Sequence, residues 1–150
     1  MGPFCAPFVK NEKKLAYPTP EIMPIGWIAS RDVSALVVEA IYNETLIAES
    51  FQISGLENLK GNGLAEQFSK GVGEEIVYYT QPAKEFGDIL RPWIGEEGAA
   101  GVAAYYNGLQ NSTEFPPKFN PNMSKVLEIL PVQMTSLAQW AKQNKEYFFN

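Results

Sequence analysis

Apolar residues recur at positions 33, 36, 37, 40 and 41, the spacing that one face of an α-helix requires. Ser30 stands ahead of them as an N-cap, and Asp32 in the first turn complements the helix dipole. The pattern predicts a helix over 32–41 that buries Val33, Leu36, Val37, Ala40 and Ile41, ended by Asn43-Glu44-Thr45. Leu64, Ala65, Phe68 and Val72 repeat at the same spacing, with Gly73 placed for a C-terminal cap. A strand is predicted on each side of this second helix. Phe51 and Ile53 alternate with polar Gln52 up to Gly55, and Ile76-Val77-Tyr78-Tyr79 alternates sides in a run of strand formers. Residues 50–79 thus read as strand, turn, helix, strand, a scaffold that names no function by itself.

The remaining elements follow from the same rules. Leu15-Ala16-Tyr17 predicts a short strand, ended by Pro18 and Pro20, and Ile25 to Ala29 another, weakened at Gly26. After the break at Gln81-Pro82, Phe86, Ile89, Leu90 and Trp93 share a helical face, and Pro92 predicts an end or kink there. Val102, Tyr105, Tyr106 and Leu109 form a further face, and the proline-rich stretch 111–122 reads as a loop. Met123, Val126, Leu127 and Leu130 predict a short helix stopped by Pro131. Thr135 or Ser136 caps the last helix, along which Leu137, Trp140, Ala141 and Asn144 align, and Gln139 completes a Ser-x-x-Gln box. The opening, 2–8, holds two prolines and two phenylalanines without periodicity and reads as irregular. The architecture expected is α/β or α+β: one domain over 1–150, five to six helices and a few short strands.

A chain of 150 residues suffices for one buried core. Its net charge of -5 argues against nucleic acid as a partner. No apolar run approaches the roughly 20 residues of a membrane helix, and the N-terminus lacks the order of a signal peptide, so the expectation is no membrane and a cytoplasmic location. The Asn43, Asn111 and Asn122 glycosylation-type triplets are then chance matches.

Much chemistry is excluded by what is missing. The chain has no histidine, which removes Ser-His-Asp and Cys-His nucleophiles and nearly all zinc sites. Its single cysteine, Cys5, precludes an internal disulfide; its apolar neighbours suggest a small buried hydrophobe rather than a reactive thiol. No Tyr-x-x-x-Lys pair occurs, and no strand runs into a Gly-x-Gly-x-x-Gly helix start, so no cofactor site is expected. Gly71-Val72-Gly73 lies at a helix end, and Gly61-Asn62-Gly63 reads as a turn. Glu74-Glu75 and Glu96-Glu97 are adjacent pairs whose side chains diverge, which is the geometry of solvated surface charge.

The segment 50–90, with its Gly-ended strand, Leu-Ala helix, closing Gly and Val/Tyr strand, resembles the C-terminal half of the NmrA-like atypical short-chain dehydrogenases/reductases. Trp27-Ile28-Ala29-Ser30-Arg31-Asp32-Val33 is similar to the family's Trp-Ile-x-x-x-Asp-Val segment, and 130–137 with Trp140 to its final helix. Lys60-Gly61-Asn62 departs from it, standing where a Ser or Thr helix cap is usual. The resemblance implies a substrate-binding portion of an NAD(P)-dependent oxidoreductase without its N-terminal dinucleotide half, non-catalytic alone. Met1 would then fall inside what was a longer gene. The other implied role is a redox-sensing regulatory module acting through a partner protein. NAD(P) is implied for the full-length family only. In that family pattern the strands at 25–29 and 51–54 extend a parallel sheet begun by the missing half, which implies self-association or a companion chain completing the sheet. The opening loop and C-terminal helices would line the substrate pocket. That makes Phe4, Phe8, Tyr105 and Tyr106 the candidate walls for a small, flat organic substrate. Core packing is the default for aromatic residues, and is the reading for Phe86, Trp93 and Trp140. No catalytic or metal residue is expected.

Overall fold

The computed structural model describes residues 2–46, 49–115 and 121–150. They form a mixed α/β fold of seven α-helices and four short strands. In chain order these are α1 (Gly2–Glu12), β1 (Lys14–Tyr17), β2 (Ile25–Gly26), α2 (Ser30–Tyr42), β3 (Asn58–Leu59), α3 (Gly61–Val72), β4 (Val77–Thr80), α4 (Ala83–Gln110), α5 (Met123–Ile129), α6 (Leu137–Gln143) and α7 (Lys145–Phe149).

β1 and β4 pair in parallel, Lys14 opposite Val77 through Tyr17 opposite Thr80. The crossover between them carries α3, whose Leu64, Phe68 and Val72 are buried in one cluster with Leu15 and Ile76. α1, α6 and α7 close that cluster with Cys5, Val9, Leu137, Ala141 and Phe148; the rings of Phe68 and Phe148 meet edge to face at 5.0 Å. A second cluster gathers Leu36 of α2 with Met123 and Val126 of α5, Leu130 and Met134. α3 ends on Gly73 at φ 74°, and the Ser136–Gln139 capping box is formed at α6. Asn122 spends its side chain capping α5, accepting from Ser124 N at 3.0 Å.

The structure corrects several expectations. The opening is helical: Cys5 and Val9, one turn apart, are both buried. Its residues are so uniformly apolar that no polar face contrasts with the buried one. The run 51–54 makes no strand ladder among the described residues, and β2, shorter than expected, pairs antiparallel with β3 instead. On α2, Asp32 and Leu36 are buried, yet Val37 and Ile41 of the predicted core face are exposed, and Val38 and Tyr42 beside them are exposed too. α3 begins at Gly61, with Lys60 in the cap position making no side-chain bond. Trp93 is exposed; Phe86 is buried. Of the predicted loop, 116–120 lie outside the described residues.

α4 combines the two helices expected between Phe86 and Leu109. Pro92 lies inside it, but the break comes at Gly95, at φ 75° and ψ 174°, a conformation that glycine alone reaches without strain. The two limbs, 83–94 and 96–110, fold back on each other. Gln110 at the far end accepts from Ala83 N at 3.4 Å, and a Cβ on Gly87 would sit 2.9 Å from both Ala99 O and Ala103 Cβ. This hairpin carries Tyr105 and Tyr106 back to the end of β1.

Candidate functional site

β1 ends at Tyr17, and Pro18 to Pro20 carry the chain away from the sheet. Gln110 fixes this corner by donating from Nε2 to Pro18 O and Gln81 O, each at 2.8 Å. Tyr78 fixes it from below: its hydroxyl donates to Thr19 O at 2.8 Å and lies 2.6 Å from Thr19 Oγ1, which is left to donate in return. Gly61 is needed for this packing, because a Cβ there would fall 2.3 Å from the Tyr78 ring. The 61–63 turn therefore accommodates an aromatic ring.

Above the corner, aromatic rings form a connected series. Tyr17 meets Trp27 at 5.1 Å, Phe86 at 5.5 Å and Tyr106 at 6.1 Å, and Tyr105 meets Tyr106 at 5.3 Å. Such edge and tilted contacts hold rings in fixed orientations. Tyr106 donates to the Tyr17 hydroxyl at 3.4 Å. Between them lies a cleft of about 180 Å³ walled by Tyr17, Trp27, Tyr105 and Tyr106, with Met23 and Leu109 among its apolar lining.

Burial drives the Tyr17 hydroxyl far above the ordinary tyrosine range, and burial pushes Tyr78 up to about 12. Both stay protonated at neutral pH. Their roles are packing and hydrogen bonding; neither is poised to take a proton. Cys5 Sγ donates to Ala16 O at 3.1 Å, and burial pushes its thiol to about 11, far from nucleophilic.

Of the four candidate wall residues, Tyr105 and Tyr106 line this cleft. Phe4 belongs to the same aromatic series one ring further out, against Phe86 at 6.3 Å and Trp93 at 6.4 Å. Phe8 is half-buried on α1 and is not among the lining residues. The sequence reading missed Tyr17 and Trp27. Their signal was local: a tyrosine at the last strand position before a Pro-x-Pro corner, and a tryptophan immediately after a short strand.

Trp27 also walls a second, larger cavity of about 560 Å³ between the start of α2 and α6. Trp140 faces it, and Arg31, Thr135, Gln143 and Asn144 supply its polar groups.

No protein-family profile matches the chain, and no curated protein sequence is significantly similar to it. Solved structures are similar. A nucleoside-diphosphate-sugar epimerase from Staphylococcus aureus superposes with a TM-score of 0.70 at 20% identity, over 91% of this chain and 46% of the epimerase. The triphenylmethane reductase of Citrobacter sp. superposes at 0.65 and 12% identity, over 89% of this chain and 45% of its own; it has also been solved with NADP(H). An NADPH-dependent quinone oxidoreductase from Escherichia coli gives 0.62 at 15% identity, over 93% and 49%. The chain thus spans less than half the length of each of these proteins. It has the fold of the matching portion of these three proteins.

Proposed function

We infer that the chain is the substrate-binding, C-terminal portion of an NmrA-like NAD(P)-dependent oxidoreductase, and that it transfers no hydride by itself. The observation that carries this reading is the cleft of Tyr17, Trp27, Tyr105 and Tyr106, held at the end of β1 in a chain with part of a reductase fold. Its walls are rings packed edge to face with few polar groups, suited to a flat organic molecule. The names of the similar proteins point the same way, since quinones are planar conjugated rings and triphenylmethane dyes carry three conjugated aryl rings. A cleft of this size fits a single quinone ring better than a dye. NAD(P) would be held by the remainder of such a protein, supplied by further chain or by a companion. The bare face of α2 and the unladdered run 51–54 are where that remainder would seat.

Duroquinone tests the reading, because its four methyl groups leave no ring position open to thiol addition. Saturable quenching of tryptophan fluorescence is expected, weakened roughly tenfold, or about 1.4 kcal/mol, by Tyr105→Ala. Tyr105 is half-exposed, so its removal leaves the fold intact. Quenching that never saturates, or that is equal in the variant, contradicts the reading.

A further inference from the structure

The larger cavity is independent of that reading. We propose that it is a separate binding site for a flat aromatic carboxylate. A volume of about 560 Å³ is ample for a two-ring ligand, and the indoles of Trp27 and Trp140 offer two broad apolar surfaces for its rings.

The carboxylate preference comes from Arg31, the one charged side chain among the lining residues. Its guanidinium is tethered from the side and only weakly engaged at its tip. Nε lies 3.6 Å from Asp32 Oδ1. The Asp32 carboxylate is itself buried and already engaged, accepting from Thr135 N at 2.7 Å and from Thr135 Oγ1 at 2.8 Å. Asp32 therefore steadies Arg31 without drawing in its tip. One terminal nitrogen makes a long contact of 3.4 Å with Gln143 Oε1, and the side chain remains 64% exposed. A carboxylate entering the cavity replaces that weak contact with two parallel N–H···O bonds, the planar match that a guanidinium makes and an ammonium does not. The other acidic group nearby, Glu57, is occupied at the start of α6, where Leu137 N donates to its Oε2 at 2.6 Å. Gln143 and Asn144 border the site with amide groups that can bond a carboxylate oxygen the guanidinium leaves open.

Calorimetric titration of the whole chain with 2-naphthoate, and with 2-naphthamide as its uncharged counterpart, tests the proposal. Naphthoate is expected to bind at least about tenfold tighter than the amide, a difference that charge-assisted pairing supplies. Arg31→Lys keeps the charge but loses the fork, and should weaken naphthoate about tenfold with the thermal midpoint unchanged. Tyr105→Ala, in the other cleft, should leave naphthoate binding unaltered. Equal binding of acid and amide, no binding of either below millimolar concentration, indifference to Arg31→Lys, or loss of binding in Tyr105→Ala would each overturn it.

Discussion

Asp32 and Thr135 lie 103 positions apart and are joined by two hydrogen bonds to one carboxylate, from the Thr135 backbone N–H and from its hydroxyl. Asp32 therefore does more than complement the dipole of α2. A first-turn acid is worth about 0.3–1 kcal/mol. Here the carboxylate also pins the start of α2 to the segment leading into α6, and so holds both walls of the larger cavity. Asp32→Ala leaves a backbone donor and a hydroxyl without their acceptor, which should cost about 2–3 kcal/mol. Asp32→Asn keeps one acceptor and should cost less. Urea unfolding checks both, and an alanine variant with the parental midpoint would show the bonds to be idle.

Leu36 and Ile41 occupy one predicted face of α2 but different environments. Leu36 is 2% exposed, within the cluster of Met123, Val126 and Leu130, whereas Ile41 is 73% exposed. Leu36→Ala should destabilise the chain by about 2–5 kcal/mol. Ile41→Ser should leave the urea midpoint within experimental error. Equal effects would place both residues in the same environment.

The exposed side of α2 predicts association. Val37, Val38, Ile41 and Tyr42 are i, i+1, i+4 and i+5 neighbours and form one apolar patch. Ile53 packs with Ala40 against the buried Leu36 cluster on the other side of α2, and Phe51 is exposed. An exposed apolar patch of this kind invites a partner. Sedimentation velocity of the isolated chain should show mass rising with concentration, suppressed by Val38→Glu with Ile41→Glu. A monomer at every concentration would mean that the patch tolerates water.

Alkaline pH should unfold the chain earlier than an ordinary tyrosine content implies. Burial raises Tyr78 to about 12 from an ordinary 10.0 and Cys5 to about 11 from 9.0. The folded state thus holds protons that the unfolded state releases. The associated stability is intact below about pH 9 and drains as pH climbs through 9–12, at up to about 1.4 kcal/mol per pH unit for each titrating group. Urea midpoints should be level between pH 7 and 8.5 and fall steadily from 9 to 11. A level midpoint to pH 11 would contradict the buried placement of both groups.

The regular amphipathic segments were legible in the sequence because each carries its own polar contrast: α3 with Gly73 beyond it, α6 with its capping box, and the buried Leu36 stripe of α2. What escaped was set by tertiary context. α1 has too few polar residues to show a period. The alternation of Phe51 to Ile53 signals a strand, but a ladder needs a neighbour, and among the described residues none is there. Pro92 marked a break correctly in kind, while the chain turns three residues later, where Gly95 permits it. Tyr105 and Tyr106 could be picked out as aromatic residues on one helix. That they meet Tyr17 and Trp27 follows only once α4 doubles back.

On the proposed function, this chain would supply the ligand-binding wall and the remainder of the protein the nucleotide site. Calorimetric titration of the isolated chain with NADPH and then with duroquinone tests it most directly. The account predicts no measurable heat from NADPH, because no strand runs into a Gly-x-Gly-x-x-Gly helix start and the Gly61 turn into α3 is packed against the Tyr78 ring, followed by saturable binding of the quinone. Micromolar binding of NADPH would contradict it.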